Sequence, residues 1–168
     1  SVPTPTASAT PNPVCTGQTV QFNATGTGTF SWTGPASFTS SLQNPTRLIT
    51  GTNIAGTYSV TQTVNGCVSN AGTVVLAVNV TPAITFSTSS NPTTCGGSQG
   101  SITIAGLLNN TTYTVNFTKN GTVQTPQTIA SNGSGQLVIS GLTAGTYTNI
   151  SVTLSGCTSN VLAGPFTL

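Results

Sequence analysis

The chain has 168 residues with no Asp, Glu or His, and its only charged side chains are Arg47 and Lys119, a formal net charge of +2. General acid–base catalysis, serine triads, hard-metal sites and most zinc sites draw on the missing residue types, so no enzyme, metal or cofactor is expected. Two cations cannot make a phosphate-binding footprint, so nucleic acid is not an expected partner.

Thr is the commonest residue, at 36, with 19 Gly and 10 Pro, and 35% of residues are hydrophobic. Thr, Val, Ile and Tyr favour strands, while Gly, Pro and Asn make turns. No segment shows a 3.6-residue apolar period, which predicts an all-β chain. A mean hydropathy of +0.16 separates it from the charged, apolar-poor composition of disordered chains. No run of eighteen apolar residues predicts a membrane insertion. With no signal peptide and Ser1 at its start, the sequence reads as a mature fragment of a longer precursor.

In chain order, strands are expected at 18–24, 28–33, 46–50, 57–64 and 72–79, preceded by a Pro/Thr-rich arm that could dock on a neighbour. A second series follows at 100–105, 112–118, 122–129, 136–140, 146–154 and 161–168. Asn120-Gly121 is a two-residue hairpin signal, and Asn65-Gly66 plays the same part before Cys67. Val74 to Val80 continues through Thr81-Pro82 towards Phe86 without a Gly/Ser spacer, which predicts a stiff connection.

The two series are copies of one plan. Asn12-Pro13-Val14-Cys15 recurs as Asn91-Pro92-Thr93-Thr94-Cys95. Ala55-Gly56-Thr57-Tyr58 recurs as Ala144-Gly145-Thr146-Tyr147, and Asn65-Gly66-Cys67-Val68-Ser69-Asn70 as Ser155-Gly156-Cys157-Thr158-Ser159-Asn160. The expected architecture is two tandem immunoglobulin-like β-sandwich domains, 1–80 and 81–168. Trp32, at a third-strand position, and the corner tyrosines Tyr58 and Tyr147 are the expected core anchors. Val60 and Asn149 stand where an immunoglobulin domain places its second cysteine. The four cysteines are instead expected to pair as Cys15–Cys67 and Cys95–Cys157, one bridge per domain, in an oxidising, extracellular compartment.

Val14-Cys15-Thr16-Gly17-Gln18, Ser31-Trp32-Thr33-Gly34-Pro35, Leu42-Gln43-Asn44-Pro45, Ala55-Gly56-Thr57-Tyr58 and Asn65-Gly66-Cys67 resemble the Ig-like/PKD-like repeats of large Bacteroidota surface proteins. Cys95-Gly96-Gly97-Ser98-Gln99-Gly100 and Gly141-Leu142-Thr143-Ala144-Gly145-Thr146-Tyr147 are similar to their companion repeats. The resemblance implies type IX secretion and a role in attachment or gliding. Such repeats usually carry Asp and Glu; this sequence departs from them in having neither, which counts against any calcium role the class has.

Lys119 is expected as an exposed hairpin-tip cation, because a catalytic or cross-linking lysine needs burial or a nearby carboxylate. Thr25, Thr27 and Thr29 are expected to line one strand face, since side chains alternate with period two. Such hydroxyl rows could bind glycan or ice. The leading expectation is a structural unit that self-associates through its nearly uncharged surface. Eight Asn-x-Ser/Thr sequons, the first at Asn23, follow from the abundance of Asn and Thr.

Overall fold

A computed structural model describes residues 1–168. The chain divides into two compact units, domain one (Ser1–Val80) and domain two (Thr81–Leu168). Apart from one 3-10 turn at Thr52–Ile54, every regular element is a strand. No helix is long and apolar enough to cross a membrane.

Domain one holds β1 (Ala7–Thr10), β2 (Val14–Cys15), β3 (Thr19–Ala24), β4 (Thr29–Gly34) and β5 (Phe38–Ser40). It continues with β6 (Thr46–Leu48), β7 (Gly56–Val64), β8 (Cys67–Val68), β9 (Gly72–Leu76) and β10 (Val78–Asn79). One sheet has the order β1-β3-β6 and the other β5-β4-β7, with β8 and β9 both pairing β7. Alternation places Val20, Phe22 and Ala24 of the first sheet against Phe30, Trp32, Tyr58 and Val60 of the second. The Phe22 ring lies 5.5 Å from Trp32 and 4.3 Å from Tyr58, between centroids. A separate parallel pair joins β2 to β10.

The expected N-terminal arm is not free. Its distal half is β1, antiparallel to β3 with Ala7 opposite Ala24, and Pro3 O accepts a hydrogen bond from buried Gln62 Nε2 (2.6 Å). Alternation over Ala7–Thr10 was too short and too weakly apolar to signal a strand.

Domain two holds β11 (Phe86–Ser90), β12 (Gly100–Ala105), β13 (Thr112–Lys119), β14 (Thr122–Val123) and β15 (Gln127–Ala130). β16 (Gln136–Leu142), β17 (Thr146–Leu154), β18 (Cys157–Thr158) and β19 (Phe166–Thr167) complete it. Sheet β11-β12-β16 faces a sheet built on β13 and β17. Ile102, Ile104, Leu137 and Ile139 pack there against Tyr113, Val115, Phe117, Ile150 and Val152. The strand expected at 122–129 is two pieces separated at Pro126, which has no N–H to offer a ladder. The one expected at 161–168 shrinks to Phe166–Thr167 and a bridge from Leu162 to Ile150.

The recurring motifs have common physical causes. Tyr58 Oη donates to Ile54 O and Tyr147 Oη to Thr143 O, each at 2.8 Å and four residues back. In both copies the preceding glycine, Gly56 or Gly145, has positive φ (136° and 156°), which disfavours any side chain. Buried Ser69 accepts from Gln62 N–H and donates to Asn70 O; buried Ser159 does the same between Val152 N–H and Asn160 O. The serine hydroxyl thus satisfies a backbone donor inside each sandwich, where an unpaired group would be costly. The Asn65-Gly66 and Asn120-Gly121 turns have positive φ at both positions, as hairpins of this length demand.

Candidate functional site

Each domain has two poles, and the cysteines sit on them. In domain one, Cys15 pairs with Asn79, the last strand residue before the chain leaves the domain. Gly56, the start of β7, faces Leu76 close to this pole. Cys67 lies beyond the other end of β7, opposite Val64, where Thr29 also pairs with Thr63 and Pro3 is held by Gln62. Cys15 is therefore on the C-terminal pole and Cys67 on the N-terminal pole.

Domain two repeats the arrangement. Cys157 faces Leu154 at the end of β17, with Ile84 nearby through Asn160, whose Oδ1 accepts the Ile84 N–H at 2.8 Å. This is the N-terminal pole. Cys95 lies in the connection from β11 to β12, whose Pro92 is close to Gly100. Gly100 also pairs with Leu142 and lies close to Leu168, which exchanges backbone hydrogen bonds with Gly145. Cys95 therefore marks the C-terminal pole.

This placement overturns the expected pairing. Cys67 and Cys95 are exposed free thiols, whereas Cys15 and Cys157 are disulfide-bonded. Neither Cys15–Cys67 nor Cys95–Cys157 can form. The members of each expected pair are separated by the length of β7 or β17, roughly 26 Å for eight residue steps. A disulfide tolerates a Cα separation of no more than about 7 Å.

Each of the two side-chain cations lies beside a corner tyrosine, Arg47 from β6 of the facing sheet and Lys119 from β13 of the same sheet. Arg47 Nη1 donates to Pro35 O (2.8 Å) and Tyr58 Oη (2.7 Å). Its guanidinium lies 4.9 Å from the Phe38 ring centroid and 5.7 Å from that of Tyr58. Burial raises the Tyr58 pKa above the ordinary tyrosine value, and Arg47 partly opposes the shift by charge and by its hydrogen bond. Lys119 is not the free hairpin-tip cation expected from sequence. Its ammonium bonds Thr143 Oγ1 and stands 5.6 Å from the Tyr147 ring centroid. Lys119 is paired with Tyr147 across β13 and β17, so its stem runs over that ring rather than into water. Trp32, Tyr58 and Tyr147 are all fully buried, with Trp32 Nε1 donating to Gln43 O.

Outward faces of the larger sheets carry hydroxyls in register. Thr39, Thr33, Ser59 and Thr73 form one row across β5, β4, β7 and β9. Thr128, Thr114, Thr153 and Thr158 form another across β15, β13, β17 and β18, the last two hydroxyls 3.0 Å apart. Strand spacing sets successive members of a row about 4.8 Å apart. The Thr25/Thr27/Thr29 array does not exist as a strand face. Thr25 and Thr27 lie in a turn before β4, and Thr25 Oγ1 accepts the Thr6 N–H.

No protein-family model and no curated protein matches the chain. Among solved structures, a two-domain fibronectin type III segment from chicken tenascin is 14% identical, covering 99% of this chain and 100% of that one, with a TM-score of 0.48. Murine CEACAM1b is 16% identical over 95% of this chain and 98% of its own, with a TM-score of 0.46. A crystal structure of the mouse coronavirus receptor-binding domain complexed with its murine receptor gives the same identity and coverage and a TM-score of 0.48. No functional residue carries over from these likenesses.

Proposed function

We propose that the chain is a non-enzymatic structural unit of an extracellular surface adhesin or self-assembling filament. One observation supports this most strongly: in each domain the chain comes in at one pole and leaves at the opposite pole. Domain one begins beside Gln62 and ends beside Cys15; domain two begins beside Asn160 and ends beside Gly145. Domain termini often lie close together. Termini on opposite poles suit modules strung in series. A surface with two cations and no acidic side chain lacks the repulsion that keeps proteins apart. Disulfide-bonded Cys15 and Cys157 fit an oxidising compartment outside the cell, and the resemblance to Bacteroidota surface repeats names the kind of protein.

Sedimentation of the purified chain over a range of concentrations tests the self-associating part. Species that grow with concentration are expected. A monomer at every concentration would contradict it.

The hydroxyl rows favour a second reading, a module that binds glycan or an ice-like crystalline surface. An open depression lined by Ser31, Trp32, Thr39, Ser40 and Ser41 lies on the same face of domain one as the Thr33 row. Against it, Trp32 and the corner tyrosines are buried and offer no stacking platform for sugar rings. Co-sedimentation with insoluble polysaccharide decides: retention lost on Thr114→Val with Thr153→Val would favour binding through that face.

A further inference from the structure

Every domain has one cysteine on its C-terminal pole, Cys15 or Cys95, and one on its N-terminal pole, Cys67 or Cys157. The disulfide-bonded cysteines are one of each class: the C-terminal-pole cysteine of domain one and the N-terminal-pole cysteine of domain two. The two thiols are the complementary combination, Cys67 on the N-terminal pole of domain one and Cys95 on the C-terminal pole of domain two. We propose that Cys95 of one copy and Cys67 of the next form an intermolecular disulfide when copies meet head to tail. The bond would join the same two classes of cysteine that are already oxidised within one copy. This deepens the structural-unit reading and rests on it.

The surroundings of both thiols suit such a contact. Cys67 follows the tight Asn65-Gly66 turn and is flanked by Val68, which is 65% exposed. Cys95 sits in the nine-residue connection between β11 and β12, exposed along nearly its whole length and turned back on itself by the Thr94 O to Gly97 N–H bond. Both sulfurs can therefore be presented to a facing surface. The one side-chain cation near either pole is Lys119, already engaged by Thr143.

The oxidant is a low-molecular-weight disulfide. The Cys67 thiolate attacks it, forming a mixed disulfide and releasing one small thiolate. The Cys95 thiolate of the next copy then attacks the Cys67 sulfur, forms the intermolecular S–S bond and expels the second small thiolate. Two protein thiols are oxidised, one small disulfide is reduced to two thiols, and the two protein protons pass to those thiols.

The test oxidises the purified two-domain chain with glutathione disulfide and resolves it on non-reducing gels, with mass spectrometry of the cross-linked peptides. A ladder of dimers, trimers and higher species that collapses on reduction is expected, with Cys67 joined to Cys95. Cys67→Ser and Cys95→Ser each abolish the ladder beyond dimer, and mixing the two variants restores a heterodimer several-fold above either alone. Only Cys67–Cys67 and Cys95–Cys95 links, a Cys67–Cys95 link confined to monomer, or two thiols that stay alkylatable would each overturn the proposal. Microscopy of the Cys67→Ser/Cys95→Ser double variant separates the two ideas. Filaments without the bond leave the structural-unit reading standing while the cross-link result decides the disulfide.

Discussion

Tyr58 is held from both sides by one hydroxyl: it donates to Ile54 O at 2.8 Å and accepts from Arg47 Nη1 at 2.7 Å. Tyr147 has the same backward bond, to Thr143 O, with Lys119 over its ring. Both charged side chains thus serve a corner tyrosine, and neither has an acidic side-chain partner.

The asymmetry between the corners predicts unequal mutational costs. Tyr58→Phe removes a bond to a carbonyl and one from a charged donor, so a loss of roughly 1.5–3 kcal/mol is expected. Tyr147→Phe removes one neutral bond, for roughly 0.5–1.5 kcal/mol. Denaturant melts of the two variants check the order; equal costs would mean that Arg47 contributes nothing through the hydroxyl.

Alkaline stability follows from the raised Tyr58 pKa. The folded state keeps the phenol proton to higher pH than the unfolded chain does, so between the two values it binds more protons. Its contribution is fully present below the ordinary tyrosine value of about 10 and is lost as pH rises through the folded value. The melting-temperature gap between wild type and Tyr58→Phe should therefore narrow above about pH 10.

On the acid side the opposite holds. Acid unfolding proceeds by protonating paired carboxylates and charging buried histidines, and this chain has neither residue type. A melting temperature nearly flat from about pH 2 to pH 8 is expected, with little response to salt. A steep loss in acid would require a titrating partner beyond these side chains.

Thiol accessibility should split the cysteines two and two. Without reduction, iodoacetamide should label Cys67 and Cys95 and spare Cys15 and Cys157. Since Cys67 and Cys95 are thiols, no disulfide closes either sandwich on itself, and reduction should leave each core folded. Labelling of Cys15 or Cys157 in the unreduced protein would contradict the assignment.

The sandwich class was legible because strand alternation, Asn-Gly turns and the Ala-Gly-Thr-Tyr motif agree with one another at each step. The positions of the cysteines were legible only in part. Tyr58 and Cys67 are nine residues apart with a continuous strand between them, which carries the second cysteine to the far pole. Repetition of both cysteines suggested one bridge per copy and masked that distance. β1 and the cation–tyrosine pairs were invisible because they depend on contacts between residues far apart in sequence, such as Ala7 with Ala24 and Arg47 with Tyr58. The hydroxyl rows were expected at Thr25 to Thr29 and occur instead where strand register, unreadable from one strand, aligns threonines on four.

Electron microscopy of the native material tests most directly whether these domains are strung in series as a structural unit. Filaments with a regular axial repeat matching a whole number of domains are the predicted result. Isolated, unassociated domains on the native surface would contradict it.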